Sequence, residues 1–390
     1  MRKGTNSLEV KRLNRNRVFR YVNGQSETSM PDISAALDIS GPTVLTIVKE
    51  LKEAGVVAEV GELKSTGGRK AKAIAAVKDI RYAIGLDITA NHVGLAYTDL
   101  ARKVLKHERI RKPFSYTDVY FQEIAGILER FVEENKIARE KIEGVGISLP
   151  GIVNRQDNIL TQSNILKLKN VSREKWEEYI PYPCELLNDA NAAAITEDVC
   201  LKRPESSMVY LSLSNSVGGA VIFADEMKSN DGIHSDYDGG AMYMGDNWRS
   251  GEFGHMVIHP EGKTCYCGKK GCVDAYCSAL NLAGLENGDL RAFFEKLKAG
   301  HEEYGRIWDE YLDNLAIVVD NLRMCLDCEV VLGGYVGSYM EPYIGRLRSA
   351  AASRDLFGGN GEYVRVCRCR EEASAYGAAL YQIERYISKI

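Results

Sequence analysis

Three cysteines lie close together in the segment TCYCGKKGC, residues 264–272. Cys265, Cys267 and Cys272 follow His255 by ten, twelve and seventeen positions, and together they form the Cys₃His set that is common in structural zinc sites. Two glycines in the segment let the backbone turn tightly enough for the sulfurs to converge. The spacing therefore predicts a closed structural zinc site.

Two alternatives to this assignment stay open. His259 can replace His255 as the nitrogen ligand, and the cysteines can be a cluster of free thiols. The chain has ten cysteines in 390 residues, no apolar run long enough to cross a bilayer, and no apolar stretch after its basic N-terminus. We therefore expect a cytoplasmic protein with no membrane partner, in which thiols stay reduced and crowded cysteines indicate metal binding rather than disulfides.

Two carboxylates flank the predicted metal ligands. Glu252 lies three residues before His255, and Asp274 lies two residues after Cys272. A metal ion that fixes this loop would hold both carboxylates beside a cleft. Because ionised carboxylates accept hydrogen bonds at both oxygens, the pair favours a ligand with vicinal hydroxyl groups, such as a sugar.

Charge is distributed unevenly along the chain. Residues 1–80 contain 14 Lys or Arg and 9 Asp or Glu, whereas the remainder contains 36 and 45. Seven of the basic residues lie in the first 20 positions. A basic N-terminal region on an acidic body predicts a polyanionic partner, and a solubilising tail is the alternative.

The N-terminal residues have the pattern of a winged helix-turn-helix. Residues 8–22 predict a first helix, a short second helix starts near Pro31, and residues 42–54 predict a third helix that ends at Gly55. Residues 56–77 predict two strands joined by a polar loop, which form the wing. The first and third helices are expected to bury Leu13, Val18, Phe19, Val22, Val44, Leu45, Val48 and Leu51.

This pattern places specific residues at DNA. The third helix of such a unit enters the major groove with its N-terminal residues at the base edges, and a basic wing reaches a minor groove. The alternative is a small helical domain that docks on the body and binds nothing. The predicted DNA contacts are Gly41, Pro42, Thr43, Thr46 and Lys49 in the helix and Gly68 and Arg69 in the wing.

The remainder of the chain predicts an α/β body. Residues 82–111 suggest three strands in a meander, and apolar strands and amphipathic helices alternate from 116 to 200. Residues 206–224 begin the same strand, turn and strand again. Two similar starts indicate two related lobes, and mixed sheets of this kind bind ligands where the strands end between lobes.

These motifs together resemble the ROK family of repressors, open reading frames and kinases, and in particular its transcriptional branch, which includes N-acetylglucosamine and xylose repressors. The resemblance covers nearly the whole chain. It implies that the body has the two-lobed, actin-like ATPase fold of sugar kinases. The motifs that carry it are GGR at 67–69, LPG at 149–151, NDAN at 188–191, EFGH at 252–255 and CYCGKKGC at 265–272.

The resemblance implies three units. Residues 1–78 would form the winged helix-turn-helix, residues 79–200 the first lobe, and residues 201–371 the second lobe with the zinc site. The C-terminal segment 372–390, with a helix at about 372–387, would return to the first lobe.

The resemblance also implies a sugar site. Asp274 stands where the family usually has a glutamate, and its shorter reach bears on which sugar fits. In family kinases the residue that matches Asp189 is the general base for the attacking sugar hydroxyl. The implied sugar contacts are Asn164, Asn188, Asp189, Glu252, His255 and Asp274.

The two phosphate loops of the family kinases are altered in this chain. The first reads Asp87-Ile88-Thr89-Ala90-Asn91, where the kinases have Asp-x-Gly-Gly-Thr, and the second reads SNS at 214–216, where they have Gly-Thr-Gly. Glycine lets backbone N–H groups approach phosphate without an obstructing Cβ. Because phosphoryl transfer depends on positioning, we predict that the chain is not an enzyme.

The sequence thus predicts a sugar-responsive, DNA-binding transcriptional regulator, a repressor of carbohydrate uptake or catabolic genes. Its partners would be operator DNA, a sugar or sugar phosphate effector, and further copies of itself in a dimer or tetramer. Its one cofactor would be structural zinc. The alternative is an ATP-dependent sugar kinase with an appended DNA-binding domain, and a third reading is a body that only dimerises.

Overall fold

The N-terminal part of the chain folds as three helices and a β-hairpin. The computed structural model describes residues 7–63, 71–201, 206–224, 241–370 and 372–390. We call the N-terminal part the head, and its order of elements is the predicted one. They are α1 (Ser7–Asn23), α2 (Met30–Leu37), α3 (Gly41–Glu53), β1 (Val57–Glu62) and β2 (Lys72–Ala76), with β1 and β2 antiparallel.

The prediction that Leu13 and Leu45 lie in the core of the head is wrong. Leu13 is 43% exposed and Leu45 is 56% exposed. The buried positions of α3 are 44, 47, 48 and 51, the i, i+3, i+4, i+7 spacing of one helix face. Leu45 lies one position away from that face, and Ile47 takes the inward place.

The first lobe is built on a five-stranded mixed sheet in the order β10-β6-β3-β4-β5. The meander β3-β4-β5 is antiparallel, and β6 and β10 add to β3 in parallel. The elements are β3 (Tyr82–Ile88), β4 (His92–Asp99), β5 (Val104–Arg111), α4 (Asp118–Glu134), β6 (Ile142–Leu149), β7 (Ile152–Asn154), β8 (Ile159–Ser163), β9 (Leu168–Ser172), α5 (Glu174–Glu177), β10 (Cys184–Asn188) and α6 (Asp189–Leu201).

The second lobe repeats this topology, in the order β15-β14-β11-β12-β13. Its meander β11-β12-β13 is antiparallel, and β14 and β15 are parallel to β11. The elements are β11 (Met208–Leu213), β12 (Val217–Phe223), β13 (Ala241–Tyr243), α7 (Asp274–Cys277), α8 (Ala279–Ala283), α9 (Leu290–Lys298), α10 (Glu302–Leu326), β14 (Glu329–Gly333), α11 (Gly334–Gly337), α12 (Ile344–Ala352) and β15 (Val364–Val366).

The last helix, α13 (Ala373–Lys389), returns to the first lobe as predicted and packs against β3, β6 and α6. The contact with β3 is close, because a Cβ on Gly85 would lie 1.6 Å from the carbonyl oxygen of Ala375. The predicted limits of the three units, 1–78, 79–200 and 201–371, stay predictions. Among the described residues, none of the helices is both long and apolar enough to span a bilayer.

Candidate functional site

The four predicted metal ligands come together in the second lobe. The ligand atoms of His255, Cys265, Cys267 and Cys272 all lie within 4.8 Å of one another. The Sγ atoms of Cys267 and Cys272 are 3.8 Å apart, and Sγ of Cys265 is 3.9 Å from Nδ1 of His255. Two thiolates bonded tetrahedrally to zinc at about 2.3 Å lie about 3.8 Å apart. The donor set therefore fits a tetrahedral metal ion.

The backbone around these ligands explains their convergence. Bridges between Val257 and Cys272 and between Thr264 and Lys270 close a small hairpin. Gly271, at φ 76°, lies against the backbone, because a Cβ there would meet the carbonyl oxygen of His259 at 1.8 Å. A larger residue at 271 would open the hairpin that brings the sulfurs together.

The alternative ligand His259 lies outside the cluster. Its Nε2 is 2.5 Å from Oδ1 of Asn314 on α10. The ring of His255, in contrast, has the hydroxyl of Tyr266 at 3.3 Å from its Nε2. A hydrogen bond on the second ring nitrogen fixes the orientation of a metal-binding histidine. No motif in the sequence had indicated this role for Tyr266.

Glu252 precedes His255 on a short 3-10 turn, Phe253–His255. This turn is packed against the start of β12, since a Cβ on Gly254 would meet the carbonyl oxygen of Val217 at 2.2 Å. A metal ion bound by the four ligands would hold one end of the turn, and β12 supports the other. The carboxyl group of Glu252 is thereby attached to two rigid elements.

Asp189 is the first residue of α6 and approaches this turn from the first lobe. Burial raises its pKa to about 6, the backbone N–H of Ala190 opposes the rise, and the charge of Glu252 adds to it. Desolvation likewise raises the pKa of Glu252, although its side chain stays exposed. The two predicted sugar contacts thus influence each other from opposite lobes, in the region where α6 packs on β12.

Three other predicted sugar contacts form hydrogen bonds within the protein. Asp274 is 5% exposed and accepts a hydrogen bond from the backbone of Val217 at 2.6 Å, and burial raises its pKa to about 6. Asn188 donates to the carbonyl oxygen of Gly151 at 2.9 Å. Asn164 is exposed and accepts from Gln162 at 2.8 Å. Their roles toward sugar stay predictions.

The DNA-facing surface predicted for α3 is solvent-accessible. Leu45, which the sequence placed in the core, lies on the same surface and adds an apolar group suited to a thymine methyl. The predicted wing contacts Gly68 and Arg69 lie outside the described residues. The exposed α3 residues are Gly41, Pro42, Thr43, Thr46 and Lys49.

The basic residues of α1 mostly contact the protein itself. Lys11 lies 2.6 Å from Glu50 of α3, and Arg17 donates to a backbone carbonyl of α2 at 3.1 Å. Arg20 forms an ion pair with Glu384 of α13 at 2.7 Å. These partners are distant in the sequence, and a count of charges cannot reveal them. For that reason the charge pattern predicts a polyanionic partner for these basic residues.

Side chains from the two lobes contact each other in the region between the two altered loops. Arg109 on β5 donates to the hydroxyl of Tyr335 on α11 at 2.7 Å and pairs with Glu372 at 3.1 Å. Asp87 is buried beside them and accepts a hydrogen bond from Ser148 at 2.7 Å. Burial raises the pKa of Asp87 to about 7, and the charge of Glu372 adds to the rise.

Comparison with known proteins shows which family and which DNA-binding domain the chain matches. Residues 83–385 match the ROK family, and residues 13–58 match a winged helix-turn-helix DNA-binding domain. The xylose repressor of Bacillus spizizenii is 25% identical over 278 residues, which cover 70% of this chain and 67% of the repressor.

Two solved structures differ in how much of the chain they cover. A ROK family transcriptional regulator described as a homologue of the Escherichia coli MLC protein has a TM-score of 0.74 at 18% identity and covers 97% of both chains. A ROK hexokinase from Thermus thermophilus has a TM-score of 0.58 at 25% identity and covers 77% of this chain and 97% of its own. The hexokinase therefore leaves nearly a quarter of this chain uncovered.

Proposed function

The chain belongs to the ROK family, and from that premise we propose that it is a sugar-responsive transcriptional regulator, a repressor of genes for carbohydrate uptake or catabolism. Residues 1–78 would bind operator DNA, and the body would sense a sugar or sugar phosphate. One observation carries the proposal: the same chain combines an exposed recognition helix with a carboxylate of each lobe, Asp189 and Glu252, that are near enough for the charge of Glu252 to raise the pKa of Asp189.

The sugar site would use these carboxylates as acceptors for neighbouring hydroxyl groups. Asp189 comes from the first lobe and Glu252 from the second, so a ligand that bonds to both is held better when the lobes are close. A ligand shifts such an equilibrium only through a difference in affinity between the two arrangements. Lobe closure is therefore the change through which a sugar would act on the head.

The metal ion would be structural zinc, held by His255, Cys265, Cys267 and Cys272. When bound, it would supply a fixed cross-link that orders the loop after β13. The protein residues would then do the positioning: the hairpin holds the ligands, and the turn before His255 would present the carboxyl of Glu252 to a sugar. Zinc thus would support sugar binding indirectly.

A homo-oligomer would complete the regulator. Two heads related by a two-fold axis would read a palindromic operator, because half-site spacing mirrors the symmetry of the protein. Dimers and tetramers both satisfy this requirement. The number of subunits can be read from light scattering of the full-length protein.

An ATP-dependent sugar kinase with an appended head is the second candidate. It is favoured by Asp189, whose pKa of about 6 suits a general base near neutral pH. The ion pair and hydrogen bond of Arg109 oppose it, because they join Glu372 and Tyr335 beside Asp87, where the phosphate loops lie.

The deciding experiment is a panel of sugars and sugar phosphates, read by operator binding of the full-length protein. We expect at least one sugar to change the operator Kd, and ADP release with ATP and the same sugars to stay far below 1 s⁻¹. Turnover at about 1 s⁻¹ or faster would establish the kinase instead. A panel without effect on operator Kd or on thermal stability would leave a body that serves only for assembly.

A further inference from the structure

The last helix, α13, contacts the sugar site near its first turn. The hydroxyl of Ser374 donates a hydrogen bond to the backbone carbonyl of Asp189 at 3.1 Å. One turn further, a Cβ on Gly377 would lie 1.6 Å from the carbonyl oxygen of Ala192 in α6. The two helices are therefore in backbone contact, and α13 cannot shift without moving the helix that carries Asp189.

The other end of α13 is part of the head. Ile383 and Ile387 are fully buried and belong to the same apolar cluster as Val18, Phe19 and Val48. This cluster also includes Ala83 and Leu100, and it therefore continues from the head into the first lobe. The head is consequently packed on the body by core-type contacts, in contrast to a domain attached only by its linker.

A buried charge marks this junction. Glu384 has no solvent exposure, and its carboxylate lies 2.7 Å from Arg20 of α1 and 3.3 Å from Arg102 of the first lobe. Asn16 of α1 also donates to the backbone carbonyl of Ile387 at 2.6 Å. A buried carboxylate is strongly destabilised when it loses its partners, so these contacts hold α1 in one orientation on α13.

We infer that α13 is the element that couples the sugar site to the DNA-binding head, and that Glu384 and Ser374 are positioning residues at its two ends. The inference rests on the proposed function. From Ser374 to Ile387 the helix rises about 20 Å at 1.5 Å per residue, and it is in direct contact with α6 and with α1. A change in α6 on sugar binding therefore reaches the recognition unit through one rigid body.

The polar contacts at Glu384 make this more than a passive attachment. Apolar contacts keep the head near the body over a range of angles, whereas an ion pair inside a low-dielectric junction depends steeply on the distance between the charges. Loss of the pair would leave the head attached by its apolar contacts but less strictly oriented. The structure thus separates attachment, through Ile383 and Ile387, from orientation, through Glu384.

The test uses full-length protein and a sugar found to act on the wild type. For Glu384→Gln and Ser374→Ala, three quantities are measured: sugar Kd without DNA, operator Kd without sugar, and the ratio of operator Kd with and without saturating sugar. Coupling between sites is typically 5- to 150-fold. We expect both variants to keep each separate Kd within about threefold and to lose at least about fivefold of the ratio.

Matched controls and outcomes complete the test. Glu362→Gln and Ser353→Ala alter exposed residues of the same types and should keep the wild-type ratio. If Glu384→Gln does not fold, Arg102→Gln replaces it, because this change weakens the same pair from the side of the body. If the folded variants keep the wild-type ratio of operator Kd with and without sugar, the inference is overturned and the proposed function stands. The same holds if a variant loses sugar binding itself, because its residue would then belong to the sugar site. If no sugar acts on the wild type, the proposed function fails and the inference falls with it.

Discussion

The cluster of four predicted metal ligands and the junction of head and body are both places where separate segments of the chain come together, but they are encoded differently. The four ligands of the cluster come from 18 consecutive positions, 255–272. The junction joins Asn16, Arg20, Arg102 and Glu384, which span most of the chain. A short-range site is visible as a motif, whereas a long-range one emerges only when the fold brings its parts together.

The two places also differ in what removal of one group does. A tetrahedral site that loses one of four ligands loses most of its affinity for the metal, and a loop ordered by that ion would lose its order with it. The junction spreads its contacts over an apolar cluster and several polar pairs, so one change leaves the others in place. The predictions below test this contrast.

The largest effect is expected at the cluster. Cys267→Ser should reduce zinc from about one ion per chain to a small fraction, and weaken sugar binding at least about tenfold, because the turn that carries Glu252 loses its anchor. Elemental analysis and calorimetry measure the two effects. Cys325→Ser is the matched control, since Cys325 is also an exposed free cysteine but lies on α10. Full zinc content in Cys267→Ser would show that the four residues are not the ligand set.

At the junction, Ile387→Ala should cost about 2–5 kcal/mol of the free energy of unfolding, the usual range for a buried isoleucine. The reason is that Ile387 is fully buried in the cluster shared by head and body. Urea unfolding followed by circular dichroism gives the value. Leu356→Ala removes a side chain that is 78% exposed, and it should change stability by less than about 0.5 kcal/mol. Equal costs for the two variants would contradict a packed junction.

Within the head, basic residues should divide by how closely the protein pairs them. Lys49→Ala is expected to weaken operator binding and to reduce the slope of log Kd against log salt by about one, because Lys49 is exposed at the recognition helix and its ion pair with Glu53 is long, at 3.9 Å. Lys11→Ala should leave the slope nearly unchanged, because Lys11 is engaged with Glu50. Electrophoretic shifts at several salt concentrations measure both. The reverse order would place DNA on the face of α1.

The smallest expected effect is on pH dependence at the sugar site. Asp189 has a raised pKa of about 6, so it is ionised at pH 7.5 and about three-quarters protonated at pH 5.5. A protonated carboxyl accepts fewer hydroxyl hydrogen bonds, and sugar affinity should therefore fall about fourfold as pH decreases over this range. Calorimetric titrations at the two pH values test this. Asp189→Asn should bind sugar weakly and with less pH dependence than the wild type, the remainder coming from Asp274, whose pKa is also about 6. Affinity that rises on acidification of the wild type would contradict the role of the ionised form of Asp189.

The sequence allowed much of this molecule to be predicted, and the reasons follow the same contrast. The winged head and the alternation of strands and helices follow from local periodicity, whereas the actin-like fold and the return of the last helix were implied by the resemblance to the ROK family. The exposed positions of Leu13 and Leu45 did not follow. Leu45 is one position from the inward face of α3, and Leu13 lies five, six and nine residues before the buried Val18, Phe19 and Val22, which puts it on the opposite side of α1.

Side-chain partners from distant segments escaped prediction altogether. Arg20 was counted toward a basic, DNA-binding surface, but it lies against a buried glutamate some 360 positions away along the chain. Arg109 and Tyr335 carried no motif, and only the approach of the two lobes pairs them. Asp274, expected to face a sugar, has one oxygen engaged by the backbone of β12. Side-chain pairings of this kind depend on tertiary structure, and a single sequence does not show which distant residues will be in contact.

The shared core has a consequence for how the protein is made. The helices of the head leave the ribosome early, but Ile383 and Ile387, which complete their apolar cluster, are added more than 300 residues later. At about 5–20 residues per second, that interval lasts roughly 15–70 seconds. During this time the apolar surface of the nascent head that later contacts α13 stays exposed to solvent. A chain cut short before α13 would therefore have an aggregation-prone head without a defined orientation. Competence to occupy an operator correctly is thereby reserved for molecules whose synthesis has reached the last helix.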